Sequence, residues 1–166
     1  IGENALTQRG LLERMIAQGE EIGSHTYTHP NLANVSTAQV TFELNATQRL
    51  FQAFTGRSLR LFRAPYFGDA EPTTADEIEP ALEAQQRGYT SVGLHVDPGD
   101  WKRPGVQAII DRTIAGVTGG PATCGQDADA NCSRNIVLLH DAGGNRAQTV
   151  AALPVIIQRL RAMGYT

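Results

Sequence analysis

Two histidines stand four residues apart in SHTYTHPNL, residues 24–32, and a proline follows the second. A neutral imidazole nitrogen is a good ligand for a divalent metal, and residues four apart on a helical turn share a face. His25 and His29 can therefore reach one ion, with Pro30 stopping the turn. Catalytic zinc usually takes three protein ligands, and no third is obvious nearby. Glu20 and Glu21 qualify only where the strand geometry allows it. Taken alone, the pair reads equally well as polar loop residues.

Later stretches carry further groups. His140 ends the apolar run of IVLLHDAGG and is followed by Asp141. A histidine so placed suits general acid or base work, though a core histidine bonded to backbone fits that stretch as well. Arg63, in FRAPYFG, follows an apolar run, where a cation could hold a carboxylate in place; the alternative is a surface arginine. HVDPGDWKRPG offers Asp97 and Asp100 ahead of the only tryptophan, Trp101. A carboxylate can orient a histidine and stabilise its imidazolium, but Asp-Pro-Gly-Asp also favours a turn. Trp101 suits a sugar-binding groove or an ordinary core, and His95 on the same stretch reads as structural.

The elements that must position these groups alternate between helix and strand. ALTQRGLLERMIAQG spaces Leu6, Leu11, Leu12, Met15 and Ile16 as in a helix ended by Gly19. EIGSH reads as a short strand. STAQVTFELNATQRLFQAFTG opens on Ser36 or Thr37 as N-cap, puts Val40, Leu44, Phe51 and Phe54 near one face, and closes at Gly56. LRLFRAP is a strand stopped by Pro65. TTADEIEPALEAQQRG is a helix capped by Thr73 or Thr74, with acids in the first turn that suit the helix dipole. YTSVGLHV is a strand, RPGVQAIIDRTIAGV a helix with proline near its start, and NIVLLHD a buried strand. RAQTVAALPVIIQRLRAMG is the last helix, which Pro154 kinks or restarts. Strands separated by helices imply βα units and a parallel sheet or barrel, with the site at the C-terminal strand ends. Residues 25, 63, 97, 100, 140 and 141 all fall at such ends.

The 166 residues are about one domain. A chain of 41% apolar and 19% charged residues is globular, and a net charge of −3 shows no basic footprint for nucleic acid. No apolar run reaches the roughly 20 residues of a membrane span, and no signal peptide is visible. Cys124 and Cys132 flank seven residues of turn-forming sequence; the reading favours a disulfide over two free thiols, and with it an oxidising compartment.

Taken together these stretches resemble the polysaccharide deacetylase family, the NodB-homology or carbohydrate esterase 4 domains. SHTYTHP is similar to that family's H-(S/T)-x-x-H-P metal motif, and RAPYFG to its R-x-P-(Y/F) motif. DPGDW is similar to its D-x-x-D-W motif and VLLHD to its L-x-H-D motif, in the family's order from residue 10 to the C-terminus. The resemblance implies an α/β fold, a distorted (β/α) barrel of the NodB-homology type. It implies one deacetylase domain over residues 1–166, incomplete at both ends. The first motif, T-F-D-D-G-P, is absent. It supplies the catalytic-base aspartate and the third, aspartate, metal ligand, and is expected ahead of Ile1, on a strand missing there. RAMGYT at the end parallels QQRGYTSVG, so a last strand is expected beyond Thr166.

By the same resemblance the reaction is metal-dependent removal of N-acetyl groups from an amino-sugar polysaccharide. His25 and His29 would bind a divalent metal, zinc foremost, with cobalt, nickel or manganese as substitutes. Arg63 would position the base aspartate, and the Tyr66 backbone N–H would help stabilise the oxyanion. His140 would protonate the leaving amine, held by Asp100, with Asp97 as the alternative. Leu138 and Trp101 would line the slot for the acetyl methyl. The fragment alone is expected to be inactive. Stretches such as FRAPYFGDAEPTTADEIEP are also similar to deacetylase domains joined to glycosyltransferases in some bacteria. That implies an extracellular, periplasmic or cell-surface polymer as partner. Two rival readings are a cyclic-amide hydrolase of the allantoinase-like branch and a noncatalytic carbohydrate-binding remnant.

Overall fold

The computed structural model describes residues 1–66, 74–119 and 136–166. The chain forms two compact units, Ile1–Gly93 and Leu94–Thr166. The expected pairing of Cys124 with Cys132 lies outside the described residues, as do the alternative cap Thr73 and Asn135.

The first unit is built on three short parallel strands, β1 (Gly23–Ser24), β2 (Leu61–Phe62) and β3 (Thr90–Ser91), in the order β1-β2-β3. Gly23 pairs with Leu61, and Leu61 with Thr90, so the register is continuous across the sheet. Helices α1 (Gly2–Ala5) and α2 (Arg9–Ala17) precede β1, α3 (Thr37–Thr55) joins β1 to β2, and α4 (Ala75–Gln86) joins β2 to β3. This is the expected βα alternation, with strands shorter than the expected ones. Two of the shortenings have a local cause. β1 ends because Thr26 turns into the left-handed region at φ 65°, and β2 runs into Pro65, which has no N–H to give a ladder.

Helix α3 forms as expected. The Ser36 hydroxyl accepts from the Gln39 N–H at 3.3 Å, and Gly56 closes the helix at φ 69°. Its inward stripe of Val40, Leu44 and Phe51 packs with Leu12, Leu32, Leu59, Phe62, Ala84 and Tyr89 as the core of this unit, with Phe54 partly buried against it. Thr74 caps α4, and the Glu77 carboxylate accepts its N–H at 3.2 Å, a capping box. The helix expected over residues 5–19 forms as α2 over Arg9–Ala17, with Gly19 at φ 86° just past its end, and a separate turn, α1, precedes it. The α1 amides of Gly2 and Glu3 donate to the carbonyls of Thr26 and Tyr27, both at 3.0 Å, which ties this turn to the loop after β1. Of the helically spaced apolar residues, Leu6, Leu11 and Met15 are exposed, and Leu12 is the buried residue of α2.

The second unit holds α5 (Val106–Thr118) and α6 (Ala147–Ala162), packed through Ile109, Ile110, Ala152 and Ile156. Pro104 lies outside α5, which starts after Gly105 at φ 103°. Pro154 sits inside α6 on an exposed position, so it starts no helix. The buried strand expected over NIVLLHD is, among the described residues, a single parallel bridge of Val137 with Val96. It stops there because the His140 N–H donates to a carboxylate instead of a neighbouring strand. Residues 136–140 are half-buried, not fully covered. Among the described residues no helix is long and apolar enough to cross a membrane.

Candidate active site

His25 leaves the C-terminal end of β1, and four residues later His29 returns beside it. Their Nε2 atoms are 3.2 Å apart and the rings meet edge to face, 4.8 Å between centroids. The segment between them is not the helical turn expected. Thr26 and His29 both take φ 65°, the left-handed region that costs a residue with a Cβ on the order of 1–3 kcal/mol. The His29 N–H donates to the Thr26 hydroxyl at 3.0 Å, closing the turn.

The donor chemistry fits a divalent cation. His25 Nδ1 lies 2.9 Å from the Arg63 carbonyl oxygen. A carbonyl only accepts, so Nδ1 carries the hydrogen and Nε2 presents its lone pair toward His29. Two nitrogens each about 2.0–2.1 Å from one tetrahedral ion stand about 3.3–3.4 Å apart, close to the separation seen. Burial, countered in part by the Arg63 carbonyl and reinforced by the His29 charge, pushes His25 down to about 4. The imidazole is therefore neutral across the physiological range, as a ligand must be. Among the described residues no third His, Cys, Asp or Glu completes a metal-holding group, so Glu20 and Glu21 do not serve as the third ligand.

Arg63 follows β2. Its Nε donates to the Val92 carbonyl at 3.1 Å and its Nη2 to that of Gly93, fastening the end of β2 to the chain leaving β3. The carboxylate it was expected to hold belongs to a motif the sequence does not contain. Tyr66 also takes φ 65°, and its exposed ring meets that of His29 at 5.0 Å.

Glu43 was not picked out in the sequence. It is fully buried on α3, and its carboxylate accepts from the N–H groups of Tyr27 and Thr28, the Thr28 hydroxyl and the Gln39 amide. Burial alone would raise its pKa; those donors outweigh it and hold the group below the usual carboxylate range. The signal was present: a charged residue that falls between Val40 and Leu44 on the stripe Val40, Leu44, Thr47, Phe51.

In the second unit, Asp100 is buried on a one-turn 3-10 helix, Asp100–Lys102. Its Oδ1 accepts from His140 Nδ1 at 2.8 Å, and its Oδ2 accepts from the His140 backbone N–H and the Thr149 hydroxyl, both at 2.8 Å. With Nδ1 committed, His140 keeps Nε2 for other work. Asp97 instead accepts the Gly99 N–H at 2.8 Å, the turn role of an Asp-Pro-Gly sequence. Trp101 is half exposed, with the Lys102 ammonium 5.0 Å from its ring, and Leu138 is half-buried. His95 Nδ1 accepts the Ile136 N–H at 3.3 Å. Arg146, also unremarked in the sequence, donates to the carbonyls of Trp101, Ala142 and Gly143, and so pins the turns on either side of the His140–Asp100 pair.

Burial alone would raise Asp100, but its three donors overcome that and hold it below its ordinary value of 3.8. A carboxyl lowered by folding stabilises the protein above its unfolded pKa, and that stability is lost as pH falls through the folded value. Thr149→Val, which removes one donor, is expected to cost about 1.5–3 kcal/mol at pH 7. Urea unfolding of the two proteins should show this gap narrowing below pH 3.8. A gap that stays constant into acid would separate Thr149 from the Asp100 charge.

The family model described as polysaccharide deacetylase matches residues 1–91. The chain is similar to a peptidoglycan-N-acetylglucosamine deacetylase of Bacillus cereus, 33% identical over 93% of this chain and 63% of that protein's length. It is similar to a chitooligosaccharide deacetylase of Sinorhizobium fredii, 34% identical over 99% of this chain and 72% of the relative. Among solved structures it is similar to a family 4 carbohydrate esterase from Streptomyces lividans in complex with acetate. That likeness has a TM-score of 0.76 at 27% identity, over 99% of this chain and 72% of that one. The fold expected from the motifs, of the NodB-homology type, is therefore the fold found.

Proposed function

Because the chain belongs to the polysaccharide deacetylase family, we propose that it serves the metal-dependent hydrolysis of N-acetyl groups on an amino-sugar polysaccharide. The observation that carries the reading is the convergence of two imidazole Nε2 atoms at 3.2 Å, one of them fixed as a lone-pair donor by the Arg63 carbonyl.

His25 and His29 would hold a divalent cation, zinc foremost. Such an ion would supply Lewis-acid polarisation of the acyl oxygen and acidify water. The side chains supply the rest. His140, its Nδ1–H held by the ionised Asp100, carries a proton at Nε2 and delivers it to the leaving amine nitrogen as the C–N bond breaks. The buried carboxylate stabilises the imidazolium before transfer and fixes the ring's orientation. The Tyr66 N–H donates to the developing oxyanion, which its left-handed backbone supports by turning the amide out of the strand direction. Trp101 and Leu138 offer apolar surface to the acetyl methyl. Arg63 is left to orient a base aspartate, which no residue of T-F-D-D-G-P type supplies within these 166 positions.

The substrate class follows the relatives, whose names specify peptidoglycan N-acetylglucosamine and chitooligosaccharide. A polymer of that kind supports a location outside the cytoplasm or at the cell surface. The full product of the gene, loaded with zinc, should release acetate from N-acetylglucosamine oligomers and leave cyclic ureides intact. Opening of a cyclic ureide would favour the allantoinase-like alternative. Metal retention without either activity would favour a carbohydrate-binding remnant.

A further inference from the structure

The turn that carries the two histidines is held from beneath. Tyr27 and Thr28 are its central residues, and both backbone N–H groups point away from solvent onto one carboxylate, Glu43, at 2.8 and 2.7 Å. The Thr28 hydroxyl adds a third bond at 2.6 Å and the Gln39 amide a fourth at 2.8 Å. An ionised carboxylate offers about four acceptor positions, so this one is fully used and has no room for a proton. The residues flanking the two amides, Thr26 and His29, are the ones driven into the left-handed region. A turn strained at both ends relaxes unless something holds its middle, and Glu43 is the group that does so.

We infer that Glu43 is a positioning residue, which fixes the Thr26–His29 turn in the form that directs both imidazole Nε2 atoms at a single cation. The inference rests on the reading of His25 and His29 as metal ligands and adds to it the side chain that sets their separation. The bonds of the Glu43 carboxylate go to Tyr27, Thr28 and Gln39. Glu43 acts through the two amides between the histidines, and it ties the histidine turn to α3, the longest helix of its unit.

Glu43→Gln keeps the size of the side chain but sets an amide NH2 against the N–H groups of the turn. Cobalt(II) titration of the 166-residue chain, followed by visible absorption, reads both the affinity and the coordination geometry. Affinity is expected to fall about 10–100-fold, as when a group orienting a ligand is lost, with a changed absorption band. Amide exchange at Tyr27 and Thr28 in the metal-free chain should accelerate. A role confined to stability would lower the unfolding midpoint and leave cobalt affinity and band shape as they are. Thr28→Val removes one donor and leaves the carboxylate in place. It is expected to fold and to weaken cobalt binding toward the lower end of that range, and it decides the matter if Glu43→Gln does not fold. Wild-type chain that binds no cobalt overturns the ligand assignment and this inference together. Wild-type binding matched by the folded variants overturns this inference alone.

Discussion

His25→Ala is expected to leave the chain without retained zinc after dialysis against micromolar metal, where the wild-type chain keeps it. The size of the effect follows from what His25 does. It supplies one of the two histidine nitrogens that converge after β1, and it is the one whose tautomer is fixed by a main-chain acceptor. Its burial keeps it neutral, with a pKa near 4, so it pays no proton cost to bind metal at pH 7. His29 alone is a single half-buried ligand, and a lone imidazole holds zinc far more weakly than a pair that shares it. Loss of the ring also frees the Arg63 carbonyl, but Arg63 itself stays fastened through Val92 and Gly93. The variant should therefore keep its circular dichroism spectrum while losing metal. Unchanged metal content, measured by atomic emission, would remove His25 from the ligand set.

How much of this was legible in the residues alone depends on the kind of information each position carries. Helix α3 was legible because its caps and its apolar period are local chemistry: Ser36, Gly56 and the Val40–Leu44–Phe51 stripe each act within a few residues. The pairing of His140 with Asp100 was legible only through the motifs, since the two lie 40 residues apart and nothing local joins them. The strand lengths were not legible. Apolar runs such as LRLFRAP and NIVLLHD mark where a strand passes, but pairing ends where a backbone group finds another partner, as the His140 N–H does on Asp100. The helix expected over residues 5–19 was legible in its body and its end, Arg9–Ala17 with Gly19 just beyond, but not in its first turn.

The geometry of the histidine turn was the least legible feature. Spacing of four fits a helical turn, and the chain reaches the same convergence by a different path, through two left-handed residues. That path is affordable only because Glu43 and the Thr26 hydroxyl absorb amides that a helix would have satisfied internally. Glu43 and Thr149 share a signature that ordinary pattern reading discards. Each is a polar residue on the buried stripe of its helix, in register with Val40 and Leu44 in one case and with Ala152 and Ile156 in the other. In both, the helix lends a buried acceptor or donor to a loop that carries a candidate site residue.

His140→Ala is the second large effect, and it separates chemistry from metal binding. The full product of the gene carrying this change should retain metal at the wild-type level, since His140 is not one of the two converging ligands. Its turnover of N-acetylglucosamine oligomers should fall by about 10²–10⁴, the range for a positioned acid or base. The protein should remain folded. Alanine keeps the backbone N–H that donates to Asp100 Oδ2, and the Thr149 hydroxyl keeps its own bond, so the buried carboxylate retains two of its three donors. The loss is thus concentrated in the one bond, Nδ1–H to Oδ1, that orients the ring. Because the leaving amine must gain a proton before it departs, the deficit should appear in kcat more than in KM. It should shrink for substrates whose leaving group is stable without protonation, such as an aryl ester offered in place of the amide. Undiminished kcat on the amide would take the acid role away from His140. A deficit of equal size on ester and amide would make its contribution one of substrate placement instead of proton delivery.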